Sequence, residues 1–277
     1  MYLITGATGT VGRPLVELLG KSPVRALTRD PLRADLPGVE VVSEPDFTGV
    51  TAVFLNPRAV GTGAADLLAR AKAQGVRRVV VLAAINVDDP LDHQPSRANG
   101  DRNKEVEAAA IESGLEWVSL RPCPFAMNAA TAWGQQLRHG DVVRAPYPDM
   151  AETPIDERDI AEVAVRALTD DDLVGQKLVL TGPESLTLVA QVEIIGRVLG
   201  RDLRFSAVPA DVAMDRIIAG GGRPEFVHAL MARYERERGR PQPVSSDVAK
   251  VLGRPARSFA EWVAGHTGVF ERVTAPA

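Results

Sequence analysis

The chain has 277 residues and carries 32 Lys and Arg against 36 Asp and Glu, a formal net charge of −4 with both signs interspersed. That balance provides no broad basic footprint for nucleic acid and no basic face for an acidic membrane. The lone Cys123 excludes an internal disulfide, and the longest wholly apolar run, Val79 to Ile85, falls far short of the roughly 20 residues of a spanning helix. With no charged leader before the first strand, a cytoplasmic protein acting on a small molecule is expected. The length suits one two-lobed unit or two small domains.

Thr5-Gly6-Ala7-Thr8-Gly9-Thr10-Val11-Gly12 lies between the apolar run Leu3-Ile4 and a helical pattern with Val11, Leu15, Leu18 and Leu19 on one face. Strand, glycine turn and helix in that order make a phosphate cradle. Glycines permit a tight bend and close approach, while the first helical N–H groups point at negative charge. The spacing is GxxGxxG rather than GxGxxG, and a glycine-rich turn without ligand shares it. The strand-to-helix setting points to dinucleotide binding by Thr5, Gly6, Thr8, Gly9, Thr10, Val11 and Gly12.

Val24 to Thr28 reads as the second strand, ended by Arg29-Asp30-Pro31. A strand tip about 20 residues past the glycines holds the cofactor ribose, and a basic residue there suits a 2′-phosphate. Arg29 therefore favours NADP(H) over NAD(H), with Arg13 as a second phosphate contact; Asp30 before Pro31 is a turn residue. Val39 to Val42 and Thr51 to Leu55 form strands three and four. The eight residues between them are too few for a covering helix, so an irregular crossover and a thin patch on that face are expected. Asn56, at the carboxyl end of the fourth strand, is placed to touch the cofactor or to start a loop.

Thr62 can cap a helix that turns Ala64, Leu67, Leu68 and Ala71 inward and stops at Gly75; the fifth strand is Val79 to Ala84. Val87 to Gly100 reads as a loop carrying His93, Arg102 to Ser113 as a helix, and Leu115 to Leu120 as a sixth strand. Strands alternating with helices imply a parallel sheet with right-handed crossovers. Past Arg121, two prolines and several large soft side chains suggest a pocket wall. Phe125, Met127, Trp133 and Tyr147 are candidates to line an apolar or aromatic substrate site, or equally to form a small lobe's own core. Cys123 reads as a buried thiol.

Glu152 to Ile155 is a short extended piece, and Asp159 begins a helix to about Leu168, with Asp156 and Asp159 favouring its N-terminus. Lys177 to Leu180 is a further strand. A helix follows with Leu188, Val192, Ile195 and Leu199 on one stripe, then Leu203 to Val208, and helical patterns at 210–218, 224–238 and 244–252. Residues 272–277 should fray. No spacing suggests a metal site.

Several blocks together resemble the NmrA-like group of atypical short-chain dehydrogenases. They are Ile4 to Gly12, Val24 to Arg29, Ser113 to Pro122, Pro154 to Ala161, Leu180 to Thr187 and Gly253 to Phe259. The resemblance implies an α/β fold, a Rossmann doubly wound parallel sheet with a smaller α+β substrate lobe. The expected division is 1–120 with 155–181 as the NAD(P)-binding core and 121–154 with 182–277 as the small lobe. It further implies NADPH-dependent hydride delivery to a quinone, dye or conjugated carbonyl; the other reading is a non-catalytic NADP(H) sensor. The Tyr-x-x-x-Lys dyad of the main short-chain enzymes is missing: four positions beyond Tyr2, Tyr147 and Tyr234 stand Gly6, Ala151 and Arg238. Counting back from Glu107 places Asn103 at the usual lysine and Asn99 at the usual tyrosine. Lys104, Asn103 and Asn86 are left as candidates for polar contacts to a substrate. Oligomeric state is not legible.

Overall fold

The computed structural model describes residues 1–272, so most of the tail expected to fray, 273–277, lies outside the described residues. In chain order the strands are β1 (Tyr2–Thr5), β2 (Val24–Leu27), β3 (Glu40–Val42), β4 (Ala52–Leu55), β5 (Arg78–Leu82), β6 (Glu116–Pro122), β7 (Val142–Ala145), β8 (Ala151–Glu152), β9 (Lys177–Leu180), β10 (Leu186–Thr187) and β11 (Arg204–Ala207). The helices are α1 (Gly12–Leu19), α2 (Pro57–Val60), α3 (Ala64–Ala73), α4 (Asn103–Glu112), α5 (Met127–His139), α6 (Glu157–Thr169), α7 (Leu188–Leu199), α8 (Ala210–Ala219), α9 (Pro224–Glu237), α10 (Asp247–Leu252) and α11 (Phe259–Gly265).

Seven strands form one parallel sheet in the order β3-β2-β1-β4-β5-β6-β9. The chain reverses direction across the sheet between β1 and β4, the switch point at which open α/β sheets bind ligands. Val79, Val80 and Val81 are fully buried because helices cover both faces. On one face Leu15 and Leu19 of α1 meet Ile160, Val163 and Ala167 of α6; on the other Leu67 and Leu68 of α3 meet Val106 and Ala110 of α4. This is the doubly wound α/β architecture expected.

The crossover from β3 to β4 is irregular, but the face beneath it is not thin. Phe47 is fully buried there, and Val50 packs beside it. Arg25 of β2, itself buried, donates to Glu40 (2.9 Å) and to the Asp46 carbonyl (2.8 Å) and pairs with the Asp46 carboxylate (3.1 Å). A buried guanidinium must satisfy its donors, so Arg25 fixes the crossover that carries Phe47 inward.

The smaller cluster comprises α5, α7 and α11 around the parallel β7–β11 ladder, with Trp133, Leu137, Val143, Ile195 and Trp262 at its centre. Helix α5 occupies a stretch read from sequence as a pocket wall or a small lobe's core and not as a helix, although Ala129, Trp133 and Leu137 already mark a stripe of i, i+4, i+8. Thr62 lies in a 3-10 turn and caps nothing; α3 starts at Ala64. Helix α6 starts at Glu157 with Asp156 as N-cap, its carboxylate accepting the Arg158 N–H at 2.8 Å. Asp159 belongs to a different structure: fully buried, it accepts from Arg254 (2.7 Å), from the Arg257 N–H (2.7 Å) and from the Arg257 guanidinium. Glu162 accepts from the same two arginines. The patterned segment 244–252 is helical only from Asp247, and α10 packs back on α6 and β9 rather than on the smaller cluster. There Asp247 accepts the N–H of Val179 on the outermost strand, at 3.0 Å.

Candidate functional site: the cradle at the carboxyl end of the sheet

Gly6 sits at φ +65°, and a Cβ there would lie 2.9 Å from the Asn56 side-chain nitrogen. A Cβ on Gly12 would overlap the Gly6 carbonyl oxygen and lie 2.8 Å from Cα of Ala7. The turn is therefore as tight as backbone packing permits, closed by the Gly9 N–H to the Gly6 carbonyl at 2.9 Å. Val11, the N-cap of α1, provides no side-chain cap, and the N–H groups of Thr10, Val11 and Gly12 find no acceptor among the described residues. Thr8, Gly9 and Thr10 are exposed beside them. Unsatisfied donors at a helix start, behind a turn too close for any side chain, fit a pyrophosphate.

Thr5 is not at the surface of this cradle. Its hydroxyl donates to the Phe54 carbonyl (3.0 Å) and accepts the Asn56 N–H (2.7 Å), fastening β1 to β4 across the switch point. Asn56 has a structural task as well, capping α2 through the Arg58 N–H at 3.0 Å while its amide nitrogen lies against Gly6. Arg29 is exposed at the carboxyl end of β2, on the side of the switch point that holds an adenosine half. Arg13 is engaged elsewhere, donating to the Asp35 carbonyl at 2.7 Å.

On the other side of the switch point lies the segment after β5. It turns through two 3-10 segments, Leu91–His93 and Pro95–Asn99. Asn103, buried at the start of α4, donates to Ser96 at 3.3 Å, while Lys104 is exposed and Asn86 lies half-buried just past β5. Arg121, at the end of β6, holds this segment in place with bonds to Glu107 (2.8 and 2.7 Å) and Asp88 (2.7 Å), and Ser119 donates to the same Glu107. Hydrogen bonding to Glu107 raises the Arg121 pKa, and hydrogen bonding to Arg121 lowers that of Asp88. The sequence signal for this group was available: Ser119 and Arg121 share one face of a buried strand.

The four pocket candidates part company. Trp133 is in the small-lobe core, Phe125 packs on the sheet's core and bridges to Ile155, and Met127 and Tyr147 flank the small-lobe core, half-buried. Tyr147 adopts φ +53°, unusual for a residue with a Cβ, and stacks edge-on to Tyr234 with centroids 6.4 Å apart. Cys123 is buried, donates to the Thr153 carbonyl, and burial pushes its thiol up to about 12; it is no nucleophile at neutral pH.

Two buried carboxylates were missed as such. Glu157 accepts from the Met127 N–H (2.8 Å) and the Trp262 indole (2.9 Å), stapling α5, α6 and α11 together. Glu152, with Arg233 at 3.7 Å, stands just behind Thr153. Burial pushes the pKa of both carboxyls up. An ionisable residue in a strand bounded by buried Ala151 and Thr153 is the signal that was there to be read.

Among the described residues no helix is long and apolar enough to cross a membrane. Residues 6–171 match the NAD(P)H-binding family. The chain is 37% identical to the (4-alkanoyl-5-oxo-2,5-dihydrofuran-3-yl)methyl phosphate reductase of Streptomyces griseus, an alignment covering 98% of this chain and 99% of the relative. It is 32% identical to the NAD(P)H azoreductase of Xenophilus azovorans, again over 98% and 99%. The fold is similar to that of the NADPH-dependent quinone oxidoreductase of Escherichia coli in complex with NADPH, at TM-score 0.79 and 22% identity over 96% of this chain and 100% of the other. With a family match over residues 6–171 and full-length similarity to reductases, this chain belongs to the NmrA-like group of atypical short-chain dehydrogenases, as an NAD(P)H-binding oxidoreductase.

Proposed function

We propose that this protein reduces a small conjugated acceptor, a quinone, dye or conjugated carbonyl, with NADPH. What supports the reading is a tight glycine turn with free N–H groups ahead of α1, together with the absence of a tyrosine and lysine pair needed for simple ketones: Asn103 is tied to Ser96 and Lys104 is exposed. A conjugated acceptor needs less help, because its π system spreads the incoming charge. The relatives named for a butenolide phosphate and for azo compounds act on acceptors of this electronic type, which supports the choice. Gly6, Gly9 and the free N–H groups of Thr10, Val11 and Gly12 would hold the pyrophosphate, and Arg29 the 2′-phosphate; the bound nicotinamide would supply hydride. The chain orients both partners and keeps water out.

Purified protein with NADPH and a panel of quinones, azo dyes and enones should consume NADPH, followed by loss of its absorbance band, with at least one acceptor. No turnover across the panel, together with redox-dependent capture of a protein partner, would favour the NADP(H)-sensing reading instead. Arg29→Ala should weaken NADPH binding by roughly ten- to 150-fold and leave NADH unchanged, since one charge-assisted contact to phosphate contributes about 1.5–3 kcal/mol. Isothermal titration with each nucleotide measures this; an unchanged preference would place the phosphate elsewhere.

A further inference from the structure

The segment between β5 and α4 is fastened firmly at its two ends and weakly in between. Past β5 the N–H groups of Ala83 and Ile85 still bond the Leu120 and Pro122 carbonyls, at 2.7 and 2.9 Å, and Asp88 is held by Arg121. At the far end Asp101, its side chain mostly covered, accepts two bonds from the Arg58 guanidinium, at 2.7 and 2.8 Å. Residues 88–101 therefore form a strap from the exit of β6 back to α2, the helix that follows β4. Between the two clamps only Gln94 and Pro95 are buried, and α9 packs on both 3-10 segments. The Gln94 amide nitrogen donates to the Val87 and Asp89 carbonyls (3.2 and 2.9 Å), and its oxygen is, among the described residues, the one buried side-chain polar atom without a partner. An unpaired buried acceptor costs free energy, and so few buried side chains offset little of it. The closed strap is a locally weak part of the fold.

We propose that Arg58 is a latch that couples the cofactor cradle to this strap, so that NADP(H) in the cradle holds the strap closed. The inference rests on the placement of NADP(H) in the cradle proposed above, and not on the identity of the acceptor. Two residues at the start of α2 carry the link. The Asn56 amide nitrogen lies against Gly6 and has no acceptor among the described residues, while its oxygen accepts the Arg58 N–H at 3.0 Å and caps α2. Arg58, two positions on, spans to Asp101. A phosphate or ribose oxygen at the Gly6 turn takes the free Asn56 donor and fixes the cap. The fixed cap aims the guanidinium, whose planar fork matches a carboxylate in one orientation only. The ligand thus makes a contact that favours the closed strap, which is the difference a population shift requires.

Hydrogen–deuterium exchange read by mass spectrometry tests the latch, with 2′-phospho-ADP-ribose as the probe. It fills the cradle but has no nicotinamide that could touch the strap directly. In wild type it should slow exchange of peptides covering 95–101 at least about fivefold, the lower end of ordinary coupling between sites. In Arg58→Ala that slowing should vanish, and the strap should exchange faster even without ligand, while β5 exchanges as in wild type. By reciprocity the variant should also bind the probe more weakly, by about the factor lost. Asp101→Asn cuts the same pair from the other side and should behave alike, so the proposal stays open to refutation if one variant fails to fold. Slowing that persists undiminished in either folded variant overturns it. Titration separates the two remaining failures: wild type that does not bind the probe overturns the cofactor placement and the latch together, whereas binding with an unmoved strap overturns the latch alone.

Discussion

Gly12→Ala is expected to weaken NADPH binding at least about a hundredfold, roughly 2.7 kcal/mol, in a fluorescence titration of purified protein. The added methyl meets the Gly6 carbonyl oxygen and Cα of Ala7, both backbone, so no rotamer relieves the overlap. The turn must open, and the N–H groups of Thr10, Val11 and Gly12 lose their common focus. Gly9→Ala is a built-in control. Its Cβ would lie 3.2 Å from the same oxygen, a distance that a shift of a few tenths of an ångström accommodates, and its effect should be at least tenfold smaller. Equal affinities for wild type and Gly12→Ala, with both folded by circular dichroism, would remove the cradle from the cofactor site.

Asp159→Ala should destabilise the protein by about 3–5 kcal/mol, lowering Tm by several degrees in a thermal melt, without directly touching the cofactor cradle. Asp159 is fully buried and joins α6 to the segment before α11 through both Arg254 and Arg257. Its loss leaves two guanidinium groups facing Glu162 alone. Water can reach both arginines, which are about a third exposed on their side chains, so the lower end of the range is expected. Burial alone would raise the Glu162 pKa, but Arg254 and Arg257 outweigh it and hold it below its ordinary 4.5. A depressed carboxyl contributes stability that is complete above its unfolded pKa and lost as pH falls through the folded one. The stability gap between wild type and Arg257→Ala should therefore narrow below about pH 4.5. A gap constant with pH would assign the contribution of Arg257 to packing.

The sheet was legible because its signals are local. Apolar runs such as Val79 to Val81, and stripes such as Leu67, Leu68 and Ala71, repeat at the periods of the elements they build. The glycine cradle was legible for the same reason, since its turn and its helix are contiguous. What escaped depends on partners far along the chain. Asp159 looked like an ordinary helix-start acid, and its arginines stand 95 and 98 positions away. Arg25 was read only as part of a strand, and its burial depends on Asp46 and Phe47 folding over it. Trp133 and Tyr147 were grouped, as a pocket or as a small-lobe core, by their chemistry alone. Packing separated them, because α5 turns Trp133 into the small-lobe core while the loop before β8 carries Tyr147 to its rim. Glu152 and Arg233 have no motif at all; only the fold brings them together.

Asp247 has a consequence beyond the fold it helps to build. A seven-stranded sheet has two borders, and an unpaired border strand is a template for another molecule's backbone. On one side β3 is only three residues long and offers little to copy. On the other, the Asp247 carboxylate takes the Val179 N–H that an incoming strand would need, and α10 lies against β9. The returning helix works as a guard against self-association, so that a chain cut short of it would fold its sheet and leave the far edge open to the next copy.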